Sequence, residues 1–92
     1  MHLDDLVATK VAALVNRREV RDYIDVAAAL DRYSVAQLLD LARRQDPGLE
    51  TDDILAVRDY LDRLGDKRFG YYGLSAAQIR AVRKQFGEWP RK

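Results

Sequence analysis

Apolar residues recur at helical spacing along nearly the whole chain, and this period constrains the fold more than any other feature. No segment carries a strand signal, and the glycine-containing "GDKRFGYYG" segment, residues 65–73, is predicted to be irregular. The pattern predicts five helices, at about residues 3–16, 18–31, 34–44, 51–64 and 75–86. We therefore expect an all-α fold, a compact bundle of about five short helices that begins with an antiparallel helical hairpin.

Local signals mark where several of these helices begin. Ser34 with Gln37, and Ser75 with Gln78, match the capping box, in which two side chains satisfy backbone N–H groups reciprocally. Thr51 is predicted to cap the fourth helix, because a threonine hydroxyl can accept from the first free N–H groups. Gly65 is predicted to end that helix.

Size and composition limit the classes of function. Ninety-two residues make a single small domain, residues 1–92. The chain has no cysteine and only one histidine, His2, which excludes a zinc enzyme and argues against a Ser-His-Asp hydrolase. No apolar run approaches the roughly 20 residues of a membrane span, and no signal-peptide pattern is present. We expect a soluble cytoplasmic protein with no metal site and no membrane contact.

The charge of the chain is divided unevenly. Residues 1–66 carry 9 Lys/Arg against 14 Asp/Glu, whereas residues 67–92 carry 7 against one and hold five of the eight aromatic residues. Such interleaving is typical of nucleic-acid surfaces. The candidate binding residues are Lys67, Arg68, Arg80, Arg83 and Lys84. The alternative is a last helix docked by its apolar stripe, with a solvated basic face; that stripe is predicted as Ile79, Val82, Phe86 and Trp89.

A lysine interrupts the apolar pattern of the first helix. One apolar stripe is predicted from the spacing of Leu3, Leu6, Val7 and Leu14. Lys10 falls in the middle of that stripe. In an antiparallel hairpin whose turn centres near residues 17 and 18, Lys10 and Asp25 are each about seven residues from the turn. We therefore expect the two side chains to lie at the same level.

The second helix is expected to present further charged residues near this pair. Asp22 lies one turn closer to the connection, and Arg18 and Arg21 border the same face. The inner face of this helix is predicted to be formed by Val20, Ile24 and Ala27.

Two interpretations of the lysine stay open. One is a structural ion pair with the lysine stem along apolar surface. The other is a polar cleft in which Lys10 meets an anionic ligand, Asp25 orients it, and Arg18 and Arg21 are candidate cofactor-binding residues.

The spacing of these residues resembles the helical part of the AbiEii-like nucleotidyltransferase toxins of bacterial type IV toxin–antitoxin and phage-abortive systems. The shared pattern is carried by Ala8, Lys10, Ala13, Leu14, Arg17, Arg21, Asp22, Asp25 and Leu30. The "LARRQDPGLETDDIL" segment resembles an interhelical loop of the family. The "YYGLSAAQIRAVRKQFGEW" ending is similar to its actinobacterial members.

The resemblance implies a C-terminal helical domain that closes over a nucleotide held by an N-terminal nucleotidyltransferase domain. A lysine and an aspartate of the helical part contribute to the active site, and they match Lys10, for phosphate contact, and Asp25, for polar organisation. Asp22, as a further candidate catalytic residue, and Arg21 match neighbouring motif positions. Mg²⁺ and a nucleoside triphosphate (NTP) are implied for the complete enzyme, as are a tRNA acceptor and a cognate antitoxin.

The chain departs from that family in lacking the Gly-Ser motif and the metal-binding aspartates of the catalytic domain. We therefore expect it to bind no cofactor alone, to be inactive alone, and to be a separate chain or a fragment that pairs with the missing domain or with itself. Two other functions stay open. One is a non-catalytic helical interaction or dimerisation module, and the other is an RNA-binding domain acting through the basic aromatic C-terminus.

Overall fold

The computed structural model describes residues 3–91 of the chain. Within that range the elements are α1 (Leu3–Arg17), α2 (Val20–Ala29), α3 (Val35–Gln45), α4 (Thr51–Arg63), α5 (Asp66–Gly70), α6 (Ala76–Gln85) and a 3-10 turn (Phe86–Glu88). No strand occurs between residues 3 and 91, so the all-α prediction is confirmed. Met1, His2 and Lys92 lie outside the described residues.

Helix α1 lies at the centre of the bundle and packs against α2, α3 and α4. Its buried face is formed by Val7, Ala8, Val11, Leu14 and Val15. The predicted stripe was partly wrong, since Leu3 and Leu6 are 51% and 42% exposed. Lys10 consequently lies beside the core face and not in its middle. The predicted inner face of α2 was also partly wrong, because Ile24 is only half-buried whereas Tyr23 is fully buried.

Two long-range hydrogen bonds fasten other elements to backbone carbonyls of α4. The hydroxyl of Tyr23 donates to the carbonyl of Val57 at 2.6 Å, and Nε1 of Trp89 donates to the carbonyl of Ile54 at 2.8 Å. The ring of Phe86 lies between the two donors, with its centroid 5.4 Å from each aromatic ring. Burial raises the pKa of the Tyr23 hydroxyl. The C-terminal segment is therefore part of the core.

The predicted helix starts were confirmed at two of three positions. The Ser34 hydroxyl accepts from the Gln37 N–H at 3.1 Å, and Ser75 accepts from Gln78 in the same way at 3.2 Å. Both boxes are completed by the returning glutamine side chain. The Thr51 cap was wrong, because Thr51 is already the first helical residue and an extended residue before it occupies the N-cap.

The segment predicted to be irregular, residues 65–73, contains the short helix α5. Gly65 does not end α4, which stops at Arg63; it is the extended residue that precedes α5. Phe69 is fully buried and anchors α5 to the core. The chain then reverses at Gly73, whose φ of 81° favours glycine.

Candidate functional site

Lys10 on α1 and Asp25 on α2 form an ion pair across the hairpin. The Lys10 Nζ lies 3.3 Å from the Asp25 Oδ2, which confirms that the two residues lie at the same level. The two side chains are 37% and 36% exposed, so solvent or a ligand can reach the pair. An ammonium group carries three donors, and among residues 3–91 Lys10 directs one hydrogen bond, to Asp25. Lys10 can therefore contact a further acceptor.

The pair opens into a shallow groove between α1 and the C-terminal half of α2, with a volume of about 420 Å³. The lining is formed by Leu3, Leu6, Val7, Lys10, Asp25, Ala28, Ala29, Asp31, Arg32 and Tyr33. Two cations and two carboxylates line it, so its charge is balanced. A phosphate would be held here only if other groups completed its environment.

Asp22, the other candidate catalytic aspartate, is not brought to the Lys10–Asp25 pair. It is 3% exposed and accepts from Nη2 of Arg17 at 2.6 Å, from Nε of Arg17 at 3.1 Å and from the N–H of Glu19 at 3.2 Å. The last bond belongs to a capping box between Glu19 and Asp22 at the start of α2. Hydrogen bonding to Asp22, together with its charge, raises the pKa of Arg17. Asp22 thus stabilises the α1–α2 turn.

The two candidate cofactor-binding arginines also lie away from the groove. Arg18 forms the turn itself with a φ of 54°, and its Nη1 donates to the carbonyl of Val15 at 3.0 Å. Arg21 is exposed on α2 and makes no hydrogen bond or ion pair within the described part of the chain. Neither arginine lines the groove around Lys10.

The aromatic residues of the basic C-terminal part divide into buried and exposed groups. Phe69, Phe86 and Trp89 are at most 1% exposed, whereas Tyr71 and Tyr72 are 79% and 55% exposed. The predicted apolar stripe of the last helix is confirmed, since all four of its residues are buried. The last helix is therefore docked by its apolar stripe, as the alternative interpretation expected, and its own face offers no aromatic ring.

Arg83 is engaged inside the fold. Its guanidinium donates to the carbonyl of Leu61 at 2.9 Å, to that of Leu64 at 2.6 Å and to Oδ1 of Asp66 at 2.8 Å. It also lies 5.5 Å from the centroid of the Phe69 ring. Arg83 thereby joins α6 to the end of α4, where helical carbonyls lack partners. The other candidates of the basic segment are exposed, namely Lys67, Arg68, Arg80 and Lys84.

No group of three His, Cys, Asp or Glu side chains that could hold a metal ion occurs among the residues that the structure describes. These residues therefore do not fit the Mg²⁺ that the resemblance implies for a complete enzyme.

In the part of the chain that the structure describes, no helix is long and apolar enough to cross a membrane. No family model matches the chain, and no curated protein or solved structure matches it either.

Proposed function

We propose that this helical domain contributes Lys10 and Asp25 to a nucleotidyl-transfer site whose metal-binding half lies on another domain. The observation that carries the proposal is the 3.3 Å contact between Lys10 Nζ and Asp25 Oδ2 in an open groove. It involves the two positions at which the AbiEii-like pattern has its active-site lysine and aspartate. The reaction would move a nucleotide from an NTP to a tRNA-like acceptor in the cytoplasm, under control of a cognate antitoxin.

The chemistry of the pair suits these roles. A lysine ammonium meets phosphate as a compact point charge, so Lys10 would contact the NTP phosphates. Asp25 would hold the ammonium on the groove side of α1 until the phosphate arrives. Ion pairs this open to solvent contribute little to stability. The functional interpretation is favoured instead by access, since more than a third of each side chain is exposed and a phosphate can reach the ammonium.

The rest of the transfer site is proposed to come from a second domain. Phosphoryl-type transfer depends on metal-bridged phosphates and on positioned charge, and the carboxylates for the metal are not found among residues 3–91. The exposed Leu3 and Leu6 at the rim of the groove offer an apolar contact for that domain. The domain alone would be inactive.

The same exposed leucines favour a second candidate function, a non-catalytic module that dimerises through this rim. Sedimentation across a concentration range separates the two. Self-association that is abolished by Leu6→Gln supports the dimerisation module. A monomer at all concentrations would contradict the dimerisation module.

The contact with an NTP can be tested by adding ATP and CTP to the ¹⁵N-labelled chain in the presence of the unlabelled catalytic domain of an AbiEii-like transferase, and following the amide resonances of the labelled chain. We expect shifts confined to the groove residues near Lys10 and Asp25, and we expect Lys10→Met to abolish them. Arg80→Met, which removes an exposed arginine on α6, serves as the matched control and should leave them unchanged. No shift near Lys10, or shifts that persist in Lys10→Met, would contradict the proposal.

A further inference from the structure

A second pocket, on the side of the α1–α2 turn, combines arginine with exposed tyrosine. It has a volume of about 530 Å³. The side chains that matter here are Arg17, Arg18, Arg68, Tyr60, Tyr71 and Tyr72. A smaller pocket adjoins it, shares Tyr60 and Arg68, and adds Arg63. We call the two together the Arg–Tyr surface.

The tyrosines of this surface have rings that are open to solvent. Tyr60 is 41% exposed, and its ring is stacked on that of the buried Tyr23, with 6.5 Å between centroids and 13° between planes. Tyr71 and Tyr72 follow α5, which the buried Phe69 anchors, and are 79% and 55% exposed. These three are the large exposed aromatic side chains of residues 3–91, and all line one pocket. The three rings therefore share one surface, where bases could stack on them.

The charge of the surface is positive and only partly neutralised. Glu19 is the one acidic side chain among the described residues that line either pocket. Arg63 and Arg68 make no ion pair within residues 3–91. Arg17 uses Nε and Nη2 for Asp22, which leaves its Nη1 group for another acceptor.

We propose that the Arg–Tyr surface binds single-stranded nucleic acid, with bases stacked on the tyrosines and phosphates held by the arginines. Aromatic platforms beside a cationic groove are how proteins bind single strands with little sequence preference. A duplex would hide its base faces from the rings. Three tyrosines and four arginines exceed what a single mononucleotide can contact. The proposal does not depend on the nucleotidyl-transfer proposal. Of the predicted nucleic-acid contacts it keeps Arg68 on α5, and it replaces those on α6 with arginines of α4 and of the α1–α2 turn.

Fluorescence anisotropy with labelled single-stranded RNA of about 12 nucleotides, at about 50 mM salt, tests the proposal. We expect Tyr72→Ala and Tyr71→Ala each to weaken binding about 5- to 100-fold without changing the salt dependence, because stacking is lost but no charge is. We expect Arg68→Ala to weaken binding and to reduce the slope of log K against log salt by about 0.7, because one phosphate contact is lost.

The matched control is the double variant Arg80→Ala/Lys84→Ala, which removes two exposed charges from α6. It should change the affinity by less than about twofold if α6 does not contact the strand. All of these positions are exposed, so circular dichroism should show an unchanged fold. The proposal is overturned by no binding at low salt, by equal affinity for a duplex of the same sequence, or by equal losses in the control. Full competition by UMP at a matched nucleotide concentration would show a mononucleotide pocket and would also overturn it.

Discussion

The Lys10 ammonium and the Asp25 carboxylate lie 3.3 Å apart on facing helices, with more than a third of each side chain open to solvent. One turn away on α2, Asp22 is nearly inaccessible and accepts hydrogen bonds from Arg17 and from the backbone of Glu19. The two aspartates of the hairpin therefore differ in what they do. Asp22 holds the turn, whereas Asp25 pairs with Lys10 and stays partly open to solvent.

Removing the charge of Lys10 should leave the fold nearly as stable as before. Lys10→Met keeps the apolar stem, and Asp25→Asn keeps the size of the side chain. We expect each to change the free energy of unfolding by less than about 1 kcal/mol, because exposed ion pairs contribute little. Urea denaturation followed by circular dichroism measures this change. A loss well above that value would show that the pair is structural.

Asp22→Ala should be more costly than either of those substitutions. It removes the acceptor for three donors, including a capping N–H, so we expect a loss of about 1–3 kcal/mol in the free energy of unfolding. Asp22→Asn should recover part of it, since the amide oxygen can still accept from the Glu19 N–H. The same urea experiment decides the point, and equal effects of Asp22→Ala and Asp25→Asn would refute the structural assignment.

Arg83 should behave as a structural residue although it belongs to the basic segment. Arg83→Met removes the donors to the carbonyls of Leu61 and Leu64, and we expect it to lower the free energy of unfolding by about 1–3 kcal/mol. Arg80→Met, which removes an exposed arginine one turn away, should stay within about 0.5 kcal/mol of the unsubstituted chain. Similar stabilities of the two variants would contradict the role given to Arg83.

Local signals predicted part of this fold well. The two serine capping boxes depend on residues three apart, and the structure has both. The Lys10–Asp25 contact was also predictable, because antiparallel helices joined by a tight turn place residues equidistant from the turn side by side. The capping boxes depend only on local backbone geometry, and the Lys10–Asp25 contact depends only on how α1 and α2 are aligned about their turn.

Other features depend on packing that local patterns do not encode. Helix α1 carries apolar residues around most of its circumference, so its period did not distinguish the face of Leu6 from that of Val11. Helix α5 has five residues, too few to show a period. The Arg–Tyr surface combines residues of α1, α4 and α5 with residues that follow α1 and α5. The sequence did not predict that Tyr60 lines the same pocket as Tyr72, because the two residues lie on different elements. The Glu19–Asp22 capping box was also missed, because neither residue matches the usual Ser/Thr and Glu/Gln of that motif.

Alkaline pH should destabilise the protein through Tyr23. Its pKa is about 10 in the unfolded chain and is raised by burial in the folded one. Above about pH 10 the unfolded state ionises first, so the free energy of unfolding should fall by up to about 1.4 kcal/mol per pH unit. Tyr23→Phe should remove this component while costing about 1 kcal/mol at neutral pH for the lost hydrogen bond to Val57. An unchanged alkaline slope in Tyr23→Phe would contradict the assignment.

The most direct test of the central claim is nucleotide transfer by this domain joined to the catalytic domain of an AbiEii-like transferase, with Lys10→Met compared against the unsubstituted chain. We predict that kcat/KM falls about 100-fold or more, as when a group that stabilises transition-state charge is removed. Arg80→Met, as control, should keep full activity. Full activity of Lys10→Met in the same enzyme would contradict the claim that the Lys10–Asp25 groove is part of the transfer site.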